Sequence, residues 1–299
     1  MRKMDDREGS ETKKNLMDDS SRKEAPLIKP QPKQPMETLR TGYSWRQYLR
    51  NQHSGWDLKA VDDSPYSPLV KPLAEIRLAL ITTAGICHDE QKPFTMGALT
   101  DTLRRQRFRG RGDASYREIT RETLSAELKI THNYYDHTDA DQDINCVFPI
   151  DCLSELASES FIGEIAPVNY SLMGYIPEPS TLEGSQNAII TGLKQQGIDA
   201  VLITPGDALS HHTAALLQRE IERSGVPTVA VTVCRDITAA MKVSRAVALR
   251  FPIGNVFGHP FDDTMQFRIL KAALQTLETA QKPGVIVDLP FEWLEEDED

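Results

Sequence analysis

Ala200-Val-Leu-Ile-Thr-Pro-Gly-Asp-Ala-Leu-Ser-His-His-Thr213 holds a short apolar strand, a break at Pro205-Gly206, and a polar loop that runs straight into a helix. A strand, loop and helix in that order are the repeating unit of open α/β folds. In such sheets ligands bind outside the carboxyl ends of the strands, where the next helix offers free N–H groups and the positive end of its dipole. Asp207, Ser210, His211 and His212 are therefore candidate site residues. The loop also has a plainer reading, in which Asp207 or Ser210 caps the helix and a histidine faces water.

Outward from this stretch, apolar runs of strand length alternate with amphipathic stretches of helix length from about Pro65 to Trp293. Strands are expected at Ile76–Ile81, Ile165–Leu172, Ala200–Ile203, Thr228–Val233, Ala246–Phe251 and Val285–Leu289. Helices are expected over Asn187–Gln196, ended by Gly197, and over Ala208–Arg223 and Thr264–Thr279. Right-handed crossovers make this an α/β fold: a layered, mostly parallel sheet with helices on both faces. The topology is Rossmann-like, but neither G-x-G-x-x-G nor G-x-x-x-x-G-K-[ST] follows any strand, so the usual phosphate cradle is missing.

Composition divides the rest of the chain. Residues 1–35 are charged, rich in Ser and Pro and poor in apolar side chains, and are expected to be a disordered extension. Residues 36–64 carry Tyr43, Trp45, Tyr48 and Trp56, which punctuate a short helix expected to dock on the main domain or a partner. Residues 65–294 form the α/β domain, and 295–299 a solvated acidic tail. The net charge of −10 and pI near 5.3 disfavour nucleic acid and anionic membrane as partners. No apolar run reaches the ~20 residues of a membrane span and the start is charged, so a cytoplasmic protein is expected. Cys87, Cys146, Cys152 and Cys234 lack CxxC spacing, which argues against a zinc knuckle or a disulfide framework.

The densest polar cluster is Thr131 to Cys146, with His132, Asp136, His137, Asp139, Asp141 and Asp143. Its histidine and carboxylate spacing does not meet a metallohydrolase pattern. No glycine follows the alternating aspartates, so the calcium-loop pattern is unmet, and no metal is expected. Asp136, His137, Asp143 and Asn145 are the substrate-binding candidates of this segment, set against plain loop solvation and Asx turns.

Thr82-Thr-Ala-Gly85, Gly112-Asp-Ala-Ser-Tyr-Arg117, Asp143-Ile-Asn-Cys-Val-Phe-Pro-Ile-Asp151, Ser171-Leu-Met-Gly174, Thr204-Pro-Gly206, Phe251-Pro-Ile-Gly254 and the terminal Val285 to Trp293 occur in this order. The ordered set resembles the selenoprotein B family of the glycine, sarcosine, betaine and D-proline reductases, over roughly Pro65 to Trp293. The resemblance implies reductive cleavage in which a selenolate or thiolate attacks an amine activated as an imine by a pyruvoyl group on a partner subunit. This chain would need no cofactor of its own, its substrate would be a small amine or amino-acid-like compound, and a hetero-oligomer is expected.

The family places a selenocysteine or cysteine, and then Cys-His, where Asp207, Ser210 and His211 stand here. Only the imidazole matches. Asp207 cannot cycle between thiolate and disulfide, and Ser210 cannot resolve an adduct. Three readings follow. Cys87, with His88 and His211 near it, supplies a relocated thiol in a reductase subunit. Alternatively, Asp207 and His211 act as an acid and base pair on a substrate held by Asp136 and His137. In the third, the chain is a catalytically silent scaffold.

Overall fold

The computed structural model describes residues 42–294; the expected disordered extension and the acidic tail lie outside them. The strands are β1 (Arg77–Thr83), β2 (Ile86–His88), β3 (Tyr116–Thr120), β4 (Leu128–Ile130), β5 (Glu164–Ile165), β6 (Val168–Leu172), β7 (Ala200–Pro205), β8 (Thr228–Thr232), β9 (Arg245–Ala248) and β10 (Val285–Asp288). The α-helices are α1 (Trp45–Gln52), α2 (Asp101–Arg105), α3 (Thr138–Gln142), α4 (Ile150–Ser158), α5 (Glu183–Gln195), α6 (Ala208–Arg223), α7 (Arg235–Ala240) and α8 (Asp263–Thr279). One sheet runs β10-β9-β8-β7-β1-β6-β3, with β5 also paired to β1, and β2 and β4 form a separate antiparallel pair. Every pairing in the large sheet is parallel except that of the edge strand β3 with β6.

All six residues of β7 and all five of β8 are buried, as expected of central strands covered on both faces. Helix α6 packs on β1, β7 and β8 with α5 and α7 against it, whereas α8 packs on β8 and β9 with α4 beside it. The sheet is thus covered on both sides. Strand β1 continues to Thr83 beyond its expected end because Thr82 and Thr83 pair with Thr204 and Pro205. The expected single strand Ile165–Leu172 is broken into β5 and β6 at Pro167, which has no N–H for the ladder. The side chain of Asn169 repairs the gap by accepting the Leu80 N–H at 2.8 Å.

Strand β9 starts at Arg245 and ends at Ala248, short of the expected Phe251. Helix α5 begins at Glu183, before the expected Asn187, and Gly197 follows its C-cap with φ +64°. The aromatic segment forms α1, whose Trp45 and Leu49 are buried and which packs on α6 and α7.

The chain goes from β1 to β6 on one side and then returns to β7 on the other. That reversal is the topological switch point of a doubly wound sheet, where the carboxyl ends of β1 and β7 flank a crevice.

The opposite end of the sheet is held by a buried ion pair. Glu222 near the end of α6 and Arg245 at the start of β9 have no side-chain exposure, with Oε1 and Nη2 3.4 Å apart. Glu222 Oε1 also accepts from the Thr228 amide at 2.7 Å and the Ser244 hydroxyl at 2.6 Å, and Oε2 accepts from the Ser67 amide. Arg245 donates to the Leu277 carbonyl at 3.3 Å and lies over the Tyr66 ring. Removing one member leaves the other charged and stranded. Glu222→Leu is expected to cost about 3–5 kcal/mol in urea unfolding, and a cost under about 1 kcal/mol would show that the pair is solvated.

Candidate functional site

Asp207 follows β7 directly and is the N-cap of α6; its Oδ1 accepts the Ser210 amide. The side chain sits at the switch point and is only 6% exposed. A carboxylate at the head of a 16-residue helix is favoured by the free N–H groups and the dipole. Burial outweighs that help and pushes the Asp207 carboxyl up to about 6, the bonds from Ser210 opposing the rise.

The imidazole beside this carboxylate is His132. Its Nε2 lies 3.5 Å from Asp207 Oδ2 and 3.4 Å from Ser210 Oγ. Its Nδ1 accepts the Tyr134 amide at 3.2 Å, so in the neutral ring the proton is on Nε2, directed at Asp207 and Ser210. Burial, with repulsion from His137 second, lowers its pKa to about 3. The 3.5 Å contact to Asp207 is therefore made by a neutral ring and is not an ion pair.

Two glycines make this approach possible. A Cβ on Gly85 (φ +76°) would lie 2.4 Å from the His132 Cβ, and one on Gly174 (φ +81°) would lie 2.2 Å from Ser210 Oγ. Thr83 at the end of β1 donates to the Ser210 carbonyl at 3.1 Å, joining the end of β1 to the first turn of α6.

His211, expected to work beside Asp207, is otherwise engaged. Its Nδ1–H donates to the Asp207 backbone carbonyl at 2.7 Å, and its Nε2 accepts the Val233 amide at 3.2 Å. With both nitrogens taken, it ties the first turn of α6 to the end of β8. His212 is buried with both nitrogens unpartnered and its ring edge-on to Trp56, 5.7 Å between centroids.

Cys87 is also away from Asp207's cavity walls. It lies buried in β2, its Sγ 3.9 Å from Thr131 Oγ1, while His88 on the other face of the strand accepts from the Glu90 amide and approaches Glu127. The other three cysteines are buried as well. Burial raises the thiol of Cys152 to about 12 and those of Cys146 and Cys234 further.

The expected substrate-binding group does not converge on Asp207. Asp136 Oδ1 accepts from the amide and hydroxyl of Thr138, and His137 pairs with Asp141 at 2.7 Å, both at the start of α3. Asp143 accepts from Asn145, the Phe261 amide and Gln266, and Asn145 bridges Asp143 to Asp151. These last two border a separate depression of about 540 Å³ with acidic walls. Among the described residues no group of three or more His, Cys, Asp or Glu is arranged to hold a metal ion.

Asp207 itself borders a cavity of about 50 Å³. The opposite walls come from far along the chain: Tyr48, Leu49, Gln52 and His53 of the α1 segment, Arg107 and Arg109 after α2, and Tyr134, Tyr135 and Tyr175. The Tyr134 hydroxyl and His53 Nδ1 are buried there without partners. Sequence reasoning missed this half of the site. The only advance signals were the aromatic residues from Tyr43 to Trp56 and the presence of His132 in the polar cluster.

Residues 50–206 match the family profile of glycine/sarcosine/betaine reductase selenoprotein B. The chain belongs to that family. It is 34% identical over 230 residues to the D-proline reductase subunit gamma of Acetoanaerobium sticklandii, covering 77% of this chain and 89% of that protein. It is 27% identical to the glycine reductase complex component B subunit gamma of Carboxydothermus hydrogenoformans, over 77% of this chain and 52% of the relative. The sarcosine reductase complex component B subunit beta of Peptoclostridium acidaminophilum is 24% identical, over 75% and 50%. The chain thus spans about half the length of the glycine and sarcosine relatives and most of the D-proline one. No solved structure matches significantly. The family match ends at Gly206, one residue before Asp207. No helix of the described residues is long and apolar enough to cross a membrane.

The buried imidazoles of this selenoprotein B family chain set its acid stability. Burial lowers His53, His211 and His212 to about 4 and His132 to about 3. The unfolded chain takes up these protons first, so stability is lost as pH falls from about 6.5 to 4. Asp207 has the opposite sign: its raised pKa adds stability as pH falls through about 6, offsetting one histidine of the four. The midpoint of thermal unfolding should therefore drop on acidification across this window. His212→Phe should stabilise the fold and flatten the pH slope by at most about 1.4 kcal/mol per pH unit; an unchanged slope would place a hydrogen-bond partner on that ring.

Proposed function

We propose that this chain is a subunit of a reductase-type assembly that binds a small amine or amino-acid-like compound in the β1–β7 crevice, with Asp207 and His132 supplying charge and proton chemistry where the family uses a selenol or thiol. The observation that carries the reading is the Asp207 carboxyl itself, placed in the cavity wall at the switch point and held near a pKa of about 6, with the Nε2–H of His132 behind it. A carboxyl poised there can hold a cationic amine when ionised and can give or take a proton near neutral pH.

The positions of the thiols support the non-redox form of this site over the relocated-thiol form, since none of the four cysteines borders the cavity and Cys87 faces Thr131. A multi-subunit setting is supported by relatives named as subunits or complex components. Partnership with a pyruvoyl-bearing subunit belongs to the same proposal, as the family membership implies. Arg107 and Arg109 on the far wall suit the carboxylate of an amino-acid-like ligand.

Calorimetric titration with glycine and D-proline tests the reading. Asp207→Asn should lose at least about tenfold in affinity, the weight of one charge-assisted hydrogen bond, while Cys87→Ser stays within about twofold. Wild-type affinity should fall about tenfold per pH unit below pH 6, where the carboxyl takes up its proton while the amine stays charged. Sensitivity to Cys87→Ser together with indifference to Asp207→Asn would return the site to thiol chemistry.

A further inference from the structure

The stretch that closes α2 reads Arg104-Arg-Gln-Arg-Phe-Arg-Gly-Arg111, five arginines in a chain whose net charge is −10. Arg104 and Arg105 lie in the last turn of α2, where the helix dipole favours them. Arg107, Arg109 and Arg111 have no such reason to stand together. Burial alternates along their loop: these three are exposed, whereas Phe108, Gly110 and Gly112 are buried. Phe108 is stacked on His53 at 3.9 Å. A Cβ on Gly110 would lie 2.6 Å from the Met96 carbonyl oxygen, and one on Gly112 1.9 Å from that of Tyr175. The inward residues thus pin the loop to the domain and leave the guanidiniums outside as a basic ridge. Exposed arginines elsewhere, such as Arg46, Arg77, Arg121, Arg223 and Arg235, each meet a carboxylate, but among the described residues no carboxylate pairs with any of these five. Asp113, the acid nearest the ridge in sequence, is turned to Arg117 and to the amides of Thr95 and Ser115.

We propose that this ridge is the docking surface of the chain's own acidic segment, Glu295-Glu-Asp-Glu-Asp299, which then lies across the mouth of the cavity that Arg107 and Arg109 border. Guanidinium and carboxylate groups are matched in geometry as well as charge. One exposed ion pair contributes little, so the argument rests on a run of acids meeting a run of unpaired arginines. The described chain also ends at the right place. Trp293 stacks on His259 at 3.7 Å and meets Phe251 at 5.4 Å, and the Leu294 carbonyl accepts from His259 Nε2 at 2.7 Å. Phe251 opens the loop whose Ile253 borders the same cavity as Arg107 and Arg109. Five residues reach up to about 17 Å from that anchor when extended. On its other side the loop is flanked by acids, since Asn255 bonds Asp139 and the Phe261 amide bonds Asp143, so an acidic segment is repelled there. Residues 1–41 enter beside the same cavity through α1, but they interleave their acids with at least as many Lys and Arg and lack the complementary charge. The inference does not rest on the small-amine reading, because neither ridge nor segment involves Asp207.

The test is fluorescence anisotropy of a labelled synthetic peptide of the same five acidic residues, titrated at low ionic strength with the full chain and with a chain ending at Leu294. An attached segment acts at an effective concentration on the order of 1 mM, which masks the ridge about tenfold against a probe that binds at roughly 0.1 mM. The shortened chain should therefore bind the probe about tenfold more tightly than the full chain, and the difference should vanish in high salt. Neutralising the segment in the full chain, by Glu296→Gln with Asp297→Asn and Glu298→Gln, should unmask the ridge as the truncation does. In the shortened chain, Arg107→Gln with Arg109→Gln and Arg111→Gln should abolish probe binding, while Arg121→Gln, an exposed arginine elsewhere, should leave it unchanged. Equal binding by the full and shortened chains overturns the proposal, as does binding by neither, or binding that survives the triple arginine substitution. Masking that fades as the full chain is diluted would assign the ridge to the acidic segment of a second copy and overturn docking within one chain.

Discussion

Placing a carboxylate on the first turn of α6 while closing it off from water sets two demands against each other. The cap and the helix dipole favour the anion; burial favours the acid. Burial prevails, and the Asp207 carboxyl is left near a pKa of about 6. Much of the surrounding structure serves this balance. Gly85 and Gly174 remove side chains that would keep His132 and Ser210 away. His211 spends both nitrogens anchoring the helix start to β8. Thr83 links the end of β1 to the same turn. These contacts act on position, so that a single acidic group is presented at the point where the strand order reverses.

The two ends of the sheet use buried charge differently. At the amino end, Glu222 and Arg245 are surrounded by Thr228, Ser244, Ser67 and the Leu277 carbonyl, and that network leaves little for an outside ligand to satisfy. At the carboxyl end, His53 Nδ1 and the Tyr134 hydroxyl are buried and unpaired around a cavity. Buried polar groups are normally satisfied, and the exceptions call for a reason. Among the described residues only Arg245 Nε and the nearby Gln218 Oε1 are left unpaired at the amino end, and neither the cavity nor the acidic depression opens on them, which fits a structural role; unfilled hydrogen-bonding capacity beside a perturbed carboxyl in a cavity wall fits a binding site.

The central strands were legible in the sequence because strands covered on both faces read as continuous apolar runs, as in Ala200–Ile203 and Thr228–Val233. The edge strand β3 was not, because only Ile119 of its five residues is buried and the rest read as loop. The break at Pro167 was visible as a residue but not as an interruption, since the repair by Asn169 is a contact across strands. At the site, Asp207 and Ser210 followed from the strand-loop-helix order alone. The choice of imidazole did not. His137 sits in the same polar cluster as His132, and only the pairing of Thr131 with Gly85 brings the latter to Asp207. His53 and Arg109 come from segments that local pattern cannot join to β7.

The most direct measurement is the titration of the Asp207 carboxyl in the intact chain, followed by carbon-detected NMR of labelled aspartate and assigned by its absence in Asp207→Asn. A midpoint near pH 6, moving down when a cationic amine is bound, is the result this account predicts. A midpoint at or below the ordinary aspartate value of about 3.9, indifferent to added amine, would make Asp207 a simple helix cap and contradict the account at its centre.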